Sequence, residues 1–186
     1  GGGNLTVNNT DVLVYTPGSG YEMLLEDVFF KVDGTTPANV HAITIVEQET
    51  TLGVDTTLSA GTYLIARSDS PNHSDISTYG KDGSYVRQDL LLGSGFLDAT
   101  DHIQGLELLE ADLTVGNTAL VQGTLLISIN KPMTVGTSGG TTVSAENTDI
   151  IALTVNATQQ DGTPGTDVDA QIVFDGSDVS LSIASS

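Results

Sequence analysis

The feature that most constrains this chain is a repeat of two. Leu109, Ala111, Leu113 and Val115 alternate with Glu110, Asp112 and Thr114. Leu125, Ile127 and Ile129 share a face with Ala119 and Val121, and Val179, Leu181 and Ile183 alternate with polar neighbours. A pleated strand points successive side chains to opposite sides, so this period writes one apolar and one polar face. TDIIALTV and DAQIVF are short and rich in Ile, Val and Thr, as buried strands are. The punctuation agrees. Asp-Gly, which suits the tight type I′ hairpin turn, occurs at 33–34, 82–83, 161–162 and 175–176.

One stretch fits two periods. In YEMLLEDVFFKVDG, residues 21–34, Tyr21, Leu24, Leu25, Val28, Phe29 and Val32 make a helical stripe, whereas Tyr21, Met23, Leu25 and then Val28, Phe30, Val32 make two strands with a slip at Glu26-Asp27. The surrounding pattern favours a bulged strand. The stretch FLDATDHIQGLELLE is the second place where the pattern also admits a helical turn, near Asp101. Strands are predicted near 4–8, 11–16, 21–32, 40–47, 62–67, 84–92, 106–115, 119–129, 150–158, 170–174 and 178–184. Eleven short strands predict an all-β fold, an antiparallel β-sandwich or jelly roll with a C-terminal β extension. The sandwich domain is expected over 1–131. A linker or long loop follows at 132–140, where Pro132 and three glycines interrupt the pattern. Residues 141–186 are too few to bury a core alone, so they must complete the sandwich or dock on a neighbouring subunit.

Composition narrows the function. Five Lys and Arg stand against 24 Asp and Glu, a net charge of −19. Such a surface repels phosphate backbones and anionic bilayers, which argues against nucleic-acid partners. The absence of Cys excludes disulfides, thiolate metal sites and a cysteine nucleophile. No apolar run approaches the length of a membrane helix, so no membrane insertion is expected.

Candidate chemistry is sparse. Gly136-Thr137-Ser138-Gly139-Gly140 has the letters of G-x-S-x-G, but a nucleophile elbow needs a strand before it and a helix after it. His41, His73 and His102 are the only histidines and none stands in a metal-binding frame. A triad of Ser138, a histidine and an aspartate would have to assemble in space. Of the loop carboxylate pairs, Asp98 with Asp101 and Asp69 with Asp75 are weaker than Asp167 with Asp169 and Asp175 with Asp178. Calcium takes six to eight oxygens from carboxylates and carbonyls on irregular backbone, which makes these four aspartates its candidates, but no D-x-[DN]-x-[DN]-G run is present and solvated turn aspartates are the plainer reading. Otherwise no cofactor and no enzymatic activity are expected. Sugar hydrolysis is disfavoured by the absence of Trp and by only nine Phe and Tyr for stacking.

Two stretches resemble known families. LTVNNTDVLVYTPGSGYEMLLEDVFFKVDGTTPANVHAITI, continued by TTLSAGTYLIARS and YVRQDLLLGSG, resembles the small β-sandwich structural proteins of tailed-phage virions. TDIIALTVNATQQDGTPGTDVDAQIVF, with Asp161, Gly162, Pro164 and Phe174, resembles the middle of bacterial Ig-like adhesin modules. The first resemblance implies a structural role without chemistry. The expectation is therefore a non-enzymatic subunit of a large extracellular assembly, a virion capsid or decoration protein, partnered by itself and by other structural subunits. A secreted filament or adhesin subunit and a calcium-dependent carbohydrate-binding module are the alternatives. The few cations, Arg67 and Arg87 first, are expected at carboxylates of neighbouring subunits.

Overall fold

Leu125, Ile127 and Ile129 are buried while Leu126 and Ser128 between them are only half so, and this alternation seats the central strand of the protein. The computed structural model describes residues 6–7, 11–25, 39–54, 56–68, 74–79, 88–91, 93–97, 102–137, 140–158 and 167–179. Among these residues the protein is all-β, and every strand ladder is antiparallel.

The strands are β1 (Val12–Thr16), β2 (Gly20–Leu25), β3 (Asn39–Ile45), β4 (Thr50–Leu52), β5 (Thr56–Leu58), β6 (Tyr63–Ser68), β7 (Ser74–Tyr79), β8 (Gln88–Leu91), β9 (Ile103–Leu108), β10 (Leu113–Val115), β11 (Thr118–Leu120), β12 (Leu125–Ile129), β13 (Met133–Val135), β14 (Val143–Ala145), β15 (Ile150–Ala157) and β16 (Asp167–Phe174). Two four-stranded sheets, ordered β3-β6-β7-β8 and β16-β15-β12-β9, carry the architecture. One core lies between them. Leu64, Ala66 and Ile76 enter it from the first sheet; Leu106, Ile127, Leu153 and Val168 enter it from the second. Face-to-face sheets sharing one apolar interior form a β-sandwich.

Residues beyond 140 belong to that same interior. β15 lies between β12 and β16, and Leu153 stands directly opposite Leu125. Met133 and Val135, in the stretch read as a linker or long loop, are buried in β13, which pairs with β14. A smaller second core lies on the outer face of β3-β6-β7-β8. There Val12 and Leu24 of the β1–β2 hairpin pack with Ile43, Tyr63, Ile65 and Tyr79.

The structure corrects the sequence reading in several places. The stretches 106–115 and 119–129 are each two strands, because polar side chains take over the ladder where each breaks. Asp112 accepts from the Gln122 backbone N–H at 2.9 Å, and the Gln122 amide donates to the Glu110 carbonyl at 2.9 Å. The strands β4, β5, β7, β13 and β14 were not expected. Asp175-Gly176 does not close a type I′ hairpin. Asp175 instead accepts from the backbone N–H and hydroxyl of Ser177, opening a 3-10 turn over Ser177–Val179. Of the ambiguous stretch 21–34, the described part is strand β2; the remainder lies outside the described residues, as do Asp101, Arg87, the other three Asp-Gly pairs and residues 180–186.

Tight turns at two hairpin ends place glycine third, where a type II turn needs positive φ. Thr16-Pro17-Gly18-Ser19 joins β1 to β2 with a 3.0 Å bond from the Ser19 N–H to the Thr16 carbonyl and φ +88° at Gly18. Val121-Gln122-Gly123-Thr124 repeats the geometry, with φ +86° at Gly123. A Cβ on Gly123 would also run into the Thr51 carbonyl oxygen. Gly123→Ala is expected to lose about 1–3 kcal/mol in urea unfolding, whereas Gly18→Ala, with open space around it, should lose only the backbone-strain part.

Candidate functional site

The two sheets meet along a seam where β3 runs parallel to β9 without a backbone ladder between them. Side chains stitch it instead. The His41 and His102 rings stack with centroids 4.3 Å apart. The Thr44 hydroxyl donates to Glu107 at 2.9 Å. The Glu110 carboxylate accepts from the backbone N–H groups of Glu47 and Gln48, satisfying donors that a missing strand would otherwise take.

A cavity of about 720 Å³ opens above this seam, where the β1–β2 hairpin leans over it. Its apolar lining comes from Ile43 on β3, from Leu108 and Leu109, and from Val12, Leu13 and Val14 of β1. Three consecutive residues of β1 line the cavity, so the edge of that strand borders it, and β2 contributes only Leu24. Among the described residues β1 pairs with β2 alone. Val14, Ile45 and Leu113 at the cavity are 38%, 47% and 46% exposed, an unusual state for aliphatic side chains grouped together. The polar lining is acidic: Glu47, Glu107, Glu110 and Asp112. At the turn end of the hairpin Tyr15 and Tyr21 face each other across the ladder, centroids 4.9 Å apart and both exposed.

The histidines occupy the other end of the seam. His41 is the extra residue of a β-bulge, since Val40 pairs with Arg67 and Ala42 with Ala66, and the bulge turns its ring toward His102. Burial first, and the neighbouring His102 second, hold the His41 pKa below its ordinary 6.5. The unfolded chain therefore binds this proton more readily than the folded one. The stabilisation is fully present above pH 6.5 and fades as the pH falls below it. Urea midpoints at pH 8 and pH 5.5 should differ less for His41→Gln than for the wild type, and the comparison cancels the general titration of the acidic surface. Equal pH slopes would remove the assignment.

Asp167 and Asp169 share one face at the start of β16, and a second bulge serves them. Asn156 is skipped in the β15–β16 ladder, and its amide donates to Asp167 at 3.3 Å and to Asp169 at 3.2 Å. The Thr137 hydroxyl also donates to Asp167. The Thr141 backbone N–H, ahead of the Asn156 amide, lowers the Asp169 pKa. Asp175 and Asp178 lie beyond the opposite end of the same eight-residue strand, so the four calcium candidates form two separate pairs. The Ser177 hydroxyl is the main cause of a lowered Asp175 pKa. Among the described residues no group of three or more His, Asp or Glu side chains converges as an ion site. Ser138, His73, Asp69, Asp98 and Asp101 lie outside the described residues, and Asp75 is placed on β7, where it accepts from the Gly93 backbone N–H at 2.9 Å.

The cavity is not legible in the sequence. Its lining comes from four separated segments, and the one available signal was the cluster of acids and leucines over 107–113. Fold and site together define an antiparallel two-sheet sandwich with an acidic-rimmed apolar groove at its seam. No protein-family model, no curated protein and no solved structure matches the chain.

Proposed function

We propose that this protein is a non-enzymatic structural subunit of a large extracellular assembly, in the manner of a virion capsid or decoration protein. The observation that carries the reading is the groove: exposed aliphatic side chains beside a strand edge, a surface suited to receiving a neighbour. The sandwich suits the role, because a rigid two-sheet core holds hairpins and edges in fixed positions for neighbours. The polar networks within the described residues serve the same end. Asp167, Asp169, Asn156 and Glu110 tie strands and turns together. The high negative charge opposes promiscuous sticking, so specific contacts must be apolar or must recruit cations.

Immunogold labelling of native source material, read together with light scattering of the purified protein, tests this. Label on particles, with co-sedimentation of protein and particles, is the expected result. A monomer found only in the soluble fraction and never on a particle or filament would overturn it.

A further inference from the structure

We infer that the groove receives an extended, lysine- or arginine-bearing segment of a different protein, added as a strand along the outer edge of β1. This rests on the proposed role as an assembly subunit and names the chemistry of the partner. Three features of the groove select that occupant.

The first is the strand edge. β1 offers five residues, Val12–Thr16, that pair with β2 alone among the described residues. At about 3.3 Å per residue an added strand would pair along roughly 17 Å. Alternate side chains of that strand would fall toward Ile43, Leu108 and Leu113 and the others toward solvent and the acidic rim.

The second is charge. Glu47, Glu107, Glu110 and Asp112 line the cavity, and no Lys or Arg lines it among the described residues. Glu110 and Glu107 are already held in place by the seam, by the Glu47 and Gln48 N–H groups and by the Thr44 hydroxyl, so their charge is fixed where a partner would meet it. A second copy of this chain, at net −19, brings like charge to the contact. A cationic segment brings complementary charge, which speeds encounter and selects the partner more than it deepens affinity. The third is the Tyr15–Tyr21 pair at the end of β1, exposed on both rings and able to receive an ammonium or guanidinium group on a ring face.

The probe is a capped heptapeptide, Lys-Val-Lys-Val-Lys-Val-Lys, titrated into the full-length protein by calorimetry and amide NMR. Controls are the same peptide with Val replaced by Ser and with Lys replaced by Glu. The Lys-Val peptide is expected to perturb the amides of residues 12–16 and 43–45, and to bind at least tenfold more tightly than either control. A Val14→Ser, Leu113→Ser double variant, which removes exposed apolar contacts only, should lose at least tenfold, and Glu47→Gln should flatten the salt dependence. Equal binding of the Lys-Val and Lys-Ser peptides would mean general attraction to an acidic protein and would overturn the inference. So would unchanged binding by the double variant, or no binding because the groove is filled by another part of this chain or by a second copy. The two readings fail separately. Particle labelling without peptide binding removes the inference and leaves the assembly role standing; a soluble monomer that is never on a particle removes the assembly role whatever the peptide does.

Discussion

Ending the chain after Gly140 is expected to abolish cooperative folding. β15 would be lost from the middle of its sheet, leaving β12 with one neighbour instead of two, and β16 would go with it. Ile151, Leu153, Val155 and Val168 are buried in the common core. Burial of each such side chain contributes about 1.5–3 kcal/mol, and a domain of this kind holds only about 5–15 kcal/mol in total. The loss is therefore comparable with the whole stability before any cavity cost is added. Residues 1–140 should give a collapsed amide spectrum and no sigmoidal urea transition. The full-length Leu153→Ala variant measures the same effect in a chain that still folds, and should cost about 2–5 kcal/mol, as should Leu125→Ala directly across the ladder. A tail that docked only on a neighbouring subunit would leave residues 1–140 able to fold alone. A well-dispersed spectrum and a two-state melt for that fragment would sink the arrangement described above.

That result also bears on what alternation in a sequence can and cannot reveal. β12, β15 and β16 were legible because apolar residues recur at every second position, as Leu125, Ile127 and Ile129, as Ile151, Leu153 and Val155, and as Val168, Ala170 and Ile172. β7 was not legible, because SDISTY buries Ser77 and Thr78 beside Ile76 and so shows no polar face. β4, β5, β13 and β14 are three residues each, too short for a period to show. Glycine and proline at 132–140 suggested a linker, yet Gly136 adopts φ +116° to bring β13 close to the Thr141 backbone. The Asp-x-Asp spacing at 167 and 169 was read as a loop pair, yet both residues stand in β16, where that spacing shares one face. It could not reveal that a bulge delivers Asn156 to both of them, because bulges have no sequence period. The groove was hidden for a related reason: the parallel meeting of β3 and β9 is a tertiary event between segments some sixty residues apart, as the bond from Thr44 to Glu107 records.

Replacing Arg67 with Ala is expected to be among the most destabilising single changes. Arg67 is one of only five basic residues, and was expected at the carboxylates of neighbouring subunits, yet it is 0% exposed. It lies on β6, on the face opposite Leu64 and Ala66, with Val40 beside it on one ladder and Asp75 on the other. Its Nε donates to the Ser77 hydroxyl at 3.0 Å. Asp75 in turn accepts from the Gly93 N–H at 2.9 Å, so the carboxylate opposite Arg67 also fixes the 3-10 turn Gly93–Gly95. A buried cation is tolerable only where nearby charge and hydrogen bonds compensate its lost hydration. Arg67→Ala leaves the buried Ser77 hydroxyl without this donor and the Asp75 carboxylate without the cation opposite it, and should cost about 3–5 kcal/mol. Asp75→Asn should cost less, because the amide oxygen can still accept from Gly93 while the neighbouring negative charge is lost. The double variant should cost clearly less than the two singles added together, since the first change already removes what the second would disrupt. Arg67→Lys should not rescue, because a point ammonium cannot reproduce the planar Nε donor to Ser77. An Arg67→Ala loss within about 0.5 kcal/mol, the range of an ordinary surface substitution, would mean that water reaches this guanidinium and that the outer face of β6 and β7 is open.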